Sequence, residues 1–325
     1  MPPAEQFRPS RWLRNRHVQS MLASTFVRRG GIERRAAPLI AAQRELLLDC
    51  GAGVRLQCFA SSPPHSTGQA VVVLHGWEGS ADSLYVLSLA QRLFEQRFEV
   101  LRLNLRDHGA THHLNRDLFH SCRLPEVIGA MRALQQQYPG HPLRLVGFSL
   151  GGNFMLRVAA RARAAELRLA GVIAVSPVLD PEETLVALEH TMPGYQRYFV
   201  RKWLRSLGRK QAAWPGVYDF HDVARLKDLR GMTDELVRRH SEFATLEEYL
   251  RGYSLTGERL ATLEVPARIL TSSDDPIIPV GGLTRLAQTP ALSVTVTRYG
   301  GHCGFIEQLS TTTWAERQIL GQLGA

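Results

Sequence analysis

Residues 143–153 read Leu-Arg-Leu-Val-Gly-Phe-Ser-Leu-Gly-Gly-Asn, and this stretch restricts the fold more tightly than any other. Leu143 to Val146 has strand length, Gly147-Phe148-Ser149-Leu150-Gly151 follows at once, and an alanine-rich helical pattern runs from Phe154 to about Ala165. A serine flanked by glycines two residues away on each side, entered from a strand and left by a helix, has the pattern of a nucleophile elbow. Such a turn must lift Ser149 Oγ clear at the top of a sheet. A side chain at 147 or 151 would collide with the neighbouring strand and helix, so both positions require glycine. The helix behind Ser149 directs its first N–H groups at negative charge developing there. An ordinary Gly/Ser turn is the competing reading, and it predicts none of the partners that follow.

The elbow sits within a regular alternation. Glu45–Cys50 and Val54–Ala60 are β-like runs split by Gly51-Ala52-Gly53, a hairpin signal. Ala70–Leu74 is continuously apolar, as in a strand buried on both faces. Helical spacing over residues 83–96 and about 122–138 alternates with strand-like runs at Phe98–Leu103, Gly171–Val175, Ala267–Thr271 and Ser293–Arg298, and a helix closes the chain. This predicts an α/β fold: a mostly parallel sheet covered by helices on both faces. Chemistry in such sheets gathers at the carboxyl ends of the strands, where Trp77, Ser149, Asp275 and His302 all fall.

A serine hydroxyl needs a base within hydrogen-bond reach, and His302, in a glycine-flanked loop after the last strand, is the candidate. The histidine needs a carboxylate to fix its tautomer. Asp274 and Asp275 both follow the correct strand. Asp275, at the turn in Asp-Pro-Ile-Ile-Pro, is preferred, with Asp274 as the alternative. The order Ser, Asp, His is that of α/β-hydrolases rather than of chymotrypsin or subtilisin. The backbone N–H groups of Leu150, directly after the serine, and of Trp77, directly after His75-Gly76, are the expected oxyanion donors.

Other chemistries have less support. Asp107, His108, His112, His113 and His120 match no metal-ligand spacing, so no metal is expected. No dinucleotide fingerprint or phosphate-cradling loop appears, and no cofactor is expected. The formal charge of +9 is spread rather than gathered in a nucleic-acid-binding module, so nucleic acid is not an expected partner. Cys50, Cys58, Cys122 and Cys303 are scattered, which suits reduced thiols in a cytoplasmic protein. No targeting segment or bilayer-length apolar run is seen.

The 325 residues divide into an N-terminal arm (1–43), a core (44–179 and 263–325) and a helical cap inserted at 180–262. In the arm, Trp12, Leu13, Val18 and Leu22 are expected as anchors, and the arm either serves structure alone or lines the site. In the cap, Tyr195, Phe199, Trp203, Leu204 and Leu207 recur at helical spacing among Arg197, Arg201, Lys202, Arg205, Arg209 and Lys210. This amphipathic basic helix has three readings: an apolar face packed on the core, a lid over an acyl pocket, or peripheral contact with membrane or lipid.

With these motifs, the chain resembles the YheT-like α/β-hydrolases, bacterial relatives of the ABHD lipid esterases and of yeast medium-chain ester synthase/hydrolases. The likeness rests on Leu13–Gln19, His75–Ser80, Phe119-His120-Ser121, Gly147–Asn153, Asp274-Asp275-Pro276 and Gly301–Phe305. It implies a carboxylic-ester hydrolase for short- to medium-chain acyl esters, with Ser149, Asp275 and His302 as triad. Transfer of the acyl group to an alcohol is the alternative activity, and a non-catalytic binding protein on the same fold is the alternative class. Asp107 departs from the pattern: related hydrolases commonly carry glycine there.

Overall fold

In the computed structural model, which describes residues 6–24, 28–308 and 312–324, eight strands form one sheet. They are β1 (Gln43–Asp49), β2 (Arg55–Ser61), β3 (Ala70–Leu74), β4 (Glu99–Leu103), β5 (Leu143–Phe148), β6 (Leu169–Val175), β7 (Ala267–Ser272) and β8 (Leu292–Thr297). Their order across the sheet is β1-β2-β4-β3-β5-β6-β7-β8. The β1–β2 hairpin and the β2–β4 pair are antiparallel, and every pairing from β4 to β8 is parallel.

The continuous apolarity of the central strands has a direct cause. Side chains alternate faces along a strand, so a strand covered on both sides must be apolar throughout. Val72 and Leu74 of β3 enter one core, with α4 (Leu124–Gln137) and α5 (Leu150–Ala159); Val71 and Val73 enter the other. That second core is covered by α2 (Arg29–Ala41), α3 (Leu84–Glu95) and α11 (Trp314–Leu323). α11 opens on a capping box between Thr313 and Glu316, which satisfies orphan N–H groups at its first turn.

The strand order reverses at β3, which lies between β4 and β5. The crevice outside the carboxyl ends at such a switch point is where open α/β sheets bind ligands. The loop after β3 carries Trp77, and the turn after β5 carries Ser149.

Between β6 and β7 the chain forms five α-helices, α6 (Pro181–His190), α7 (Pro193–Ala213), α8 (His221–Arg225), α9 (Leu229–His240) and α10 (Leu246–Gly252), and a short 3-10 turn at Glu258–Leu260. Leu207, Phe220, Val223, Met232 and Leu236 of this insertion share a small core with Leu118 from the loop after β4. Asp180, Asp228 and Thr245 accept backbone N–H bonds at the N-termini of α6, α9 and α10.

Three readings need correction. α5 begins at Leu150 and ends at Ala159, rather than running from Phe154 to Ala165. The elbow itself starts the helix, and the chain must turn back to enter β6, so Ala160, Ala162 and Ala165 pack as buried turn residues. The N-terminal arm contains α1 (Arg16–Ser24) and α2, elements to which the sequence reading gave no secondary structure. Of the expected anchors, Leu13 is fully buried, whereas Trp12 is 52% exposed.

Candidate active site

The turn at Ser149 is strained. Its φ of 52° and ψ of −120° lie where a side chain is disfavoured, a cost of roughly 1–3 kcal/mol that the surroundings must offset. Ser149 N donates to Val175 O (2.9 Å), and Asn153 N donates to Ser149 O (3.1 Å). The buried Asn153 amide donates to Val178 O and Tyr253 O, both at 2.8 Å. The glycine requirement is steric. A Cβ at 147 would lie 2.4 Å from Gly151 O, and one at 151 would lie 2.4 Å from His75 O. Both obstacles are backbone and cannot swing aside.

His302 follows β8, in Gly300-Gly301-His302-Cys303-Gly304. Its Nδ1 lies 2.9 Å from Asp275 Oδ2. The other oxygen of Asp275 accepts Ile277 N (2.8 Å) and Ile278 N (2.9 Å). With Oδ1 so occupied, Oδ2 faces His302, and in the neutral ring the hydrogen sits on Nδ1 while Nε2 carries the lone pair. Burial opposes a charge on His302, but the Asp275 carboxylate and the neighbouring Cys303 together outweigh it and hold the imidazole well above its usual range. Asp274 points elsewhere, accepting Gly301 N at 2.9 Å. The two adjacent aspartates are thus distinguished by direction: Asp275 orients the ring, and Asp274 shapes the loop that carries it.

The loop after β3 is fixed from several sides. Gly76 N donates to Tyr85 Oη (3.0 Å). Leu105 N donates to His75 Nε2 (3.2 Å), leaving His75 Nδ1 to donate to Gly76 O (2.7 Å). Burial pushes the His75 pKa down to about 4, so the ring stays neutral in this role. Glu78 N donates to His108 Nε2 (3.1 Å), and His108 Nδ1 donates to Arg106 O (2.7 Å). From α7, Lys202 Nζ donates to Glu78 O (2.7 Å). Trp77 lies between these fixed points. Its indole stacks on Phe199, with centroids 5.4 Å apart, and meets Trp203 edge-on at 5.1 Å. Among the described residues, the N–H groups of Trp77 and Leu150 donate to no acceptor.

Asp107, the departure from the resemblance, adopts a φ of 57°, a left-handed conformation that Asp tolerates better than most residues. Its carboxylate accepts Phe119 N (2.8 Å) and pairs with Lys210 Nζ (2.9 Å). Lys210 is fully buried and also donates to Asn115 O and Asp117 O, so it does not belong to the outer basic face of α7. The supposed metal set is dispersed: His108 holds Glu78, His112 meets Ser206 Oγ at 2.8 Å, and His113 is exposed.

Ser149, His302 and Trp77 line one cavity of about 1020 Å³, at the upper end of the roughly 300–1,000 Å³ of small-molecule sites. Much of its wall comes from the helices between β6 and β7, through Leu185, Leu188, Phe199, Leu236 and Leu250. Glu78 also lines it, and burial pushes the pKa of its carboxyl up to about 7. The N-terminal segment reaches it too. Ser20 Oγ accepts His302 N (2.8 Å), and His17 Nδ1 lies 3.2 Å from Tyr195 Oη. The buried Gln19 side chain bonds Leu13 O, Ile306 O and Ile306 N. Sequence reasoning left the arm's contribution open and missed Lys202, Ser20 and Gln19 as supports of the site. For Ser20 and Gln19, only the recurrence of polar residues in Leu13–Ser20 was a hint.

The alpha/beta hydrolase fold family matches residues 69–309, and this chain belongs to that family. Within it the chain is YheT-like. It is 26% identical to the protein named "Putative esterase YheT" of Escherichia coli (strain K12), across 97% of this chain and 92% of that one. It is 24% identical to monoacylglycerol lipase ABHD2 of Danio rerio, across 99% and 80% of the two chains. Among solved structures, the Pyrococcus furiosus esterase Pf2001 superposes with a TM-score of 0.58 at 15% identity, covering 98% of each chain, which reflects a shared fold.

Proposed function

We propose that this chain is a serine carboxylic-ester hydrolase for short- to medium-chain acyl esters, with residues 180–262 as a cap over its acyl pocket. The observation that carries the reading is the His302 Nδ1–Asp275 Oδ2 bond of 2.9 Å beside a cavity that Ser149 also lines. The names of the relatives, esterase and monoacylglycerol lipase, and the apolar wall of the cavity support it.

In this mechanism Ser149 Oγ attacks the ester carbonyl carbon while His302 Nε2 takes the hydroxyl proton. The carbonyl oxygen becomes an oxyanion held by the N–H groups of Trp77 and Leu150, at the N-terminus of α5. Collapse breaks the bond to the alcohol oxygen, which receives the proton from His302. Water then attacks the acyl-enzyme, passing its proton to His302, and the acid leaves as Ser149 regains its hydrogen. Asp275 stays ionised throughout and stabilises the imidazolium.

The test is hydrolysis of p-nitrophenyl esters from acetate to palmitate by wild type and Ser149→Ala. The expected result is a rate peaking at one chain length, with kcat lowered at least about 10³-fold in the variant. A variant that turns over near the wild-type rate would remove Ser149 from the mechanism. Labelling of wild type by a fluorophosphonate without hydrolysis of any ester would point to acyl transfer instead.

A further inference from the structure

α7 is the longest helix of the insertion, and it carries Arg197, Arg201, Arg205 and Arg209, the last two reaching the wall of the cavity. Four-residue spacing places these on one stripe, about 18 Å long at the rise of a helix. All four are exposed. Among the described residues, no carboxylate lies within ion-pair distance of any of them, and only Arg209 has a hydrogen bond, to Gly109 O at 3.4 Å. The other arginines nearby are treated differently. Arg230 pairs with Glu182 and Glu189, Arg238 with Asp234, Arg239 with Asp222, and Arg285 with Asp180 and Glu183. Four like charges on one helix face repel one another, so the stripe costs stability that an external anion would restore.

Beside the stripe lies the rim of the cavity. Met21, Met192 and Tyr198 all line the cavity, yet each is about half exposed, at 49%, 50% and 49%. Exposed apolar side chains next to a basic helix face form the amphipathic combination that settles at a lipid headgroup boundary. A polynucleotide would match the charge but would find a single exposed tyrosine between two methionines where a run of stacking platforms is needed.

We infer that the arginine stripe of α7 and the Met21–Met192–Tyr198 rim dock on an anionic lipid surface, turning the mouth of the cavity toward the bilayer. The inference adds to the ester-hydrolase reading a place from which substrate is drawn: acyl chains would pass from the lipid layer into the cavity without crossing water.

The experiment is co-sedimentation of the full chain with phosphatidylcholine vesicles, with and without one third phosphatidylglycerol, for wild type and Arg197→Gln/Arg201→Gln. Neither of these arginines lines the cavity. Hydrolysis of soluble p-nitrophenyl butyrate should therefore be unchanged in the variant, which also shows that it is folded. Wild type should bind the anionic vesicles in preference to the neutral ones, and the double variant should bind them roughly 30-fold more weakly, at about 5-fold per arginine. Raising salt to about 0.5 M should release wild type. Equal binding to both vesicle types, an unaffected double variant, or binding to duplex DNA but not to anionic vesicles would overturn the inference. The soluble-ester assay reads the hydrolase assignment separately, so its failure leaves the vesicle result standing.

Discussion

Replacing Asp275 by Asn changes one oxygen to an amide nitrogen, and the structure dictates which one. Oδ1 of Asp275 accepts the N–H groups of Ile277 and Ile278. An NH₂ group there would set donors against donors, so the amide oxygen stays on the two N–H groups and the NH₂ faces His302. His302 Nδ1 must then accept, and its hydrogen moves to Nε2, the atom that takes the proton from Ser149 in the proposed mechanism. The expected loss in kcat is about 10⁴-fold, equivalent to about 5 kcal/mol of transition-state stabilisation.

The substitution also moves the pH profile. Burial lowers the His302 pKa, and the Asp275 carboxylate, with Cys303 beside the ring, raises it and prevails. His302 accepts a proton only when neutral, so wild-type kcat/KM should rise with pH along a limb above about 6.5. In Asp275→Asn the pull of the carboxylate is gone while burial and the neighbouring Cys303 remain, and the limb of the residual activity should shift to lower pH. Stability follows the same linkage. A raised folded-state pKa contributes stability that is fully present below the unfolded value and is lost as pH rises through the folded value. The gap in Tm between wild type and variant should therefore narrow as pH rises. The assays are p-nitrophenyl butyrate hydrolysis and thermal melts across a pH series. Activity of Asp275→Asn within ten-fold of wild type, or a larger loss in Asp274→Asn, would refute the argument.

Lys210→Met should destabilise the fold by about 3–5 kcal/mol, because it leaves the buried Asp107 carboxylate unpaired. Urea denaturation should show a smaller loss when Asp107→Asn is added, and a single-variant cost under about 1 kcal/mol would mean that the pair contributes little. Lys202→Met removes a charge-assisted bond to Glu78 O, on the loop that aims the Trp77 N–H. The expected effect is a roughly 10-fold fall in kcat on a soluble ester, with KM little changed and partial rescue by Lys202→Arg. A change confined to KM would place Lys202 in substrate binding instead.

Much of the architecture was readable from local sequence. A strand buried on both faces must be apolar at every position, so β3 and its neighbours announce themselves within a few residues. A glycine two residues either side of Ser149 and the order Ser, Asp, His likewise require no knowledge of distant contacts. The choice between Asp274 and Asp275 was different. They are adjacent, equally acidic and follow the same strand, and only the turn that gives one to Gly301 N and the other to His302 Nδ1 separates them. Lys210 shares its helix and its chemistry with the arginines of the stripe, yet it is buried because Asp107 lies beneath it. Ser20 reaches His302 across 282 positions of chain. Periodicity and turn chemistry are decided by neighbouring residues and survive in the sequence. Which polar group meets which is decided by the packed sheet, where one direction of a side chain satisfies a buried partner and the other leaves it without one.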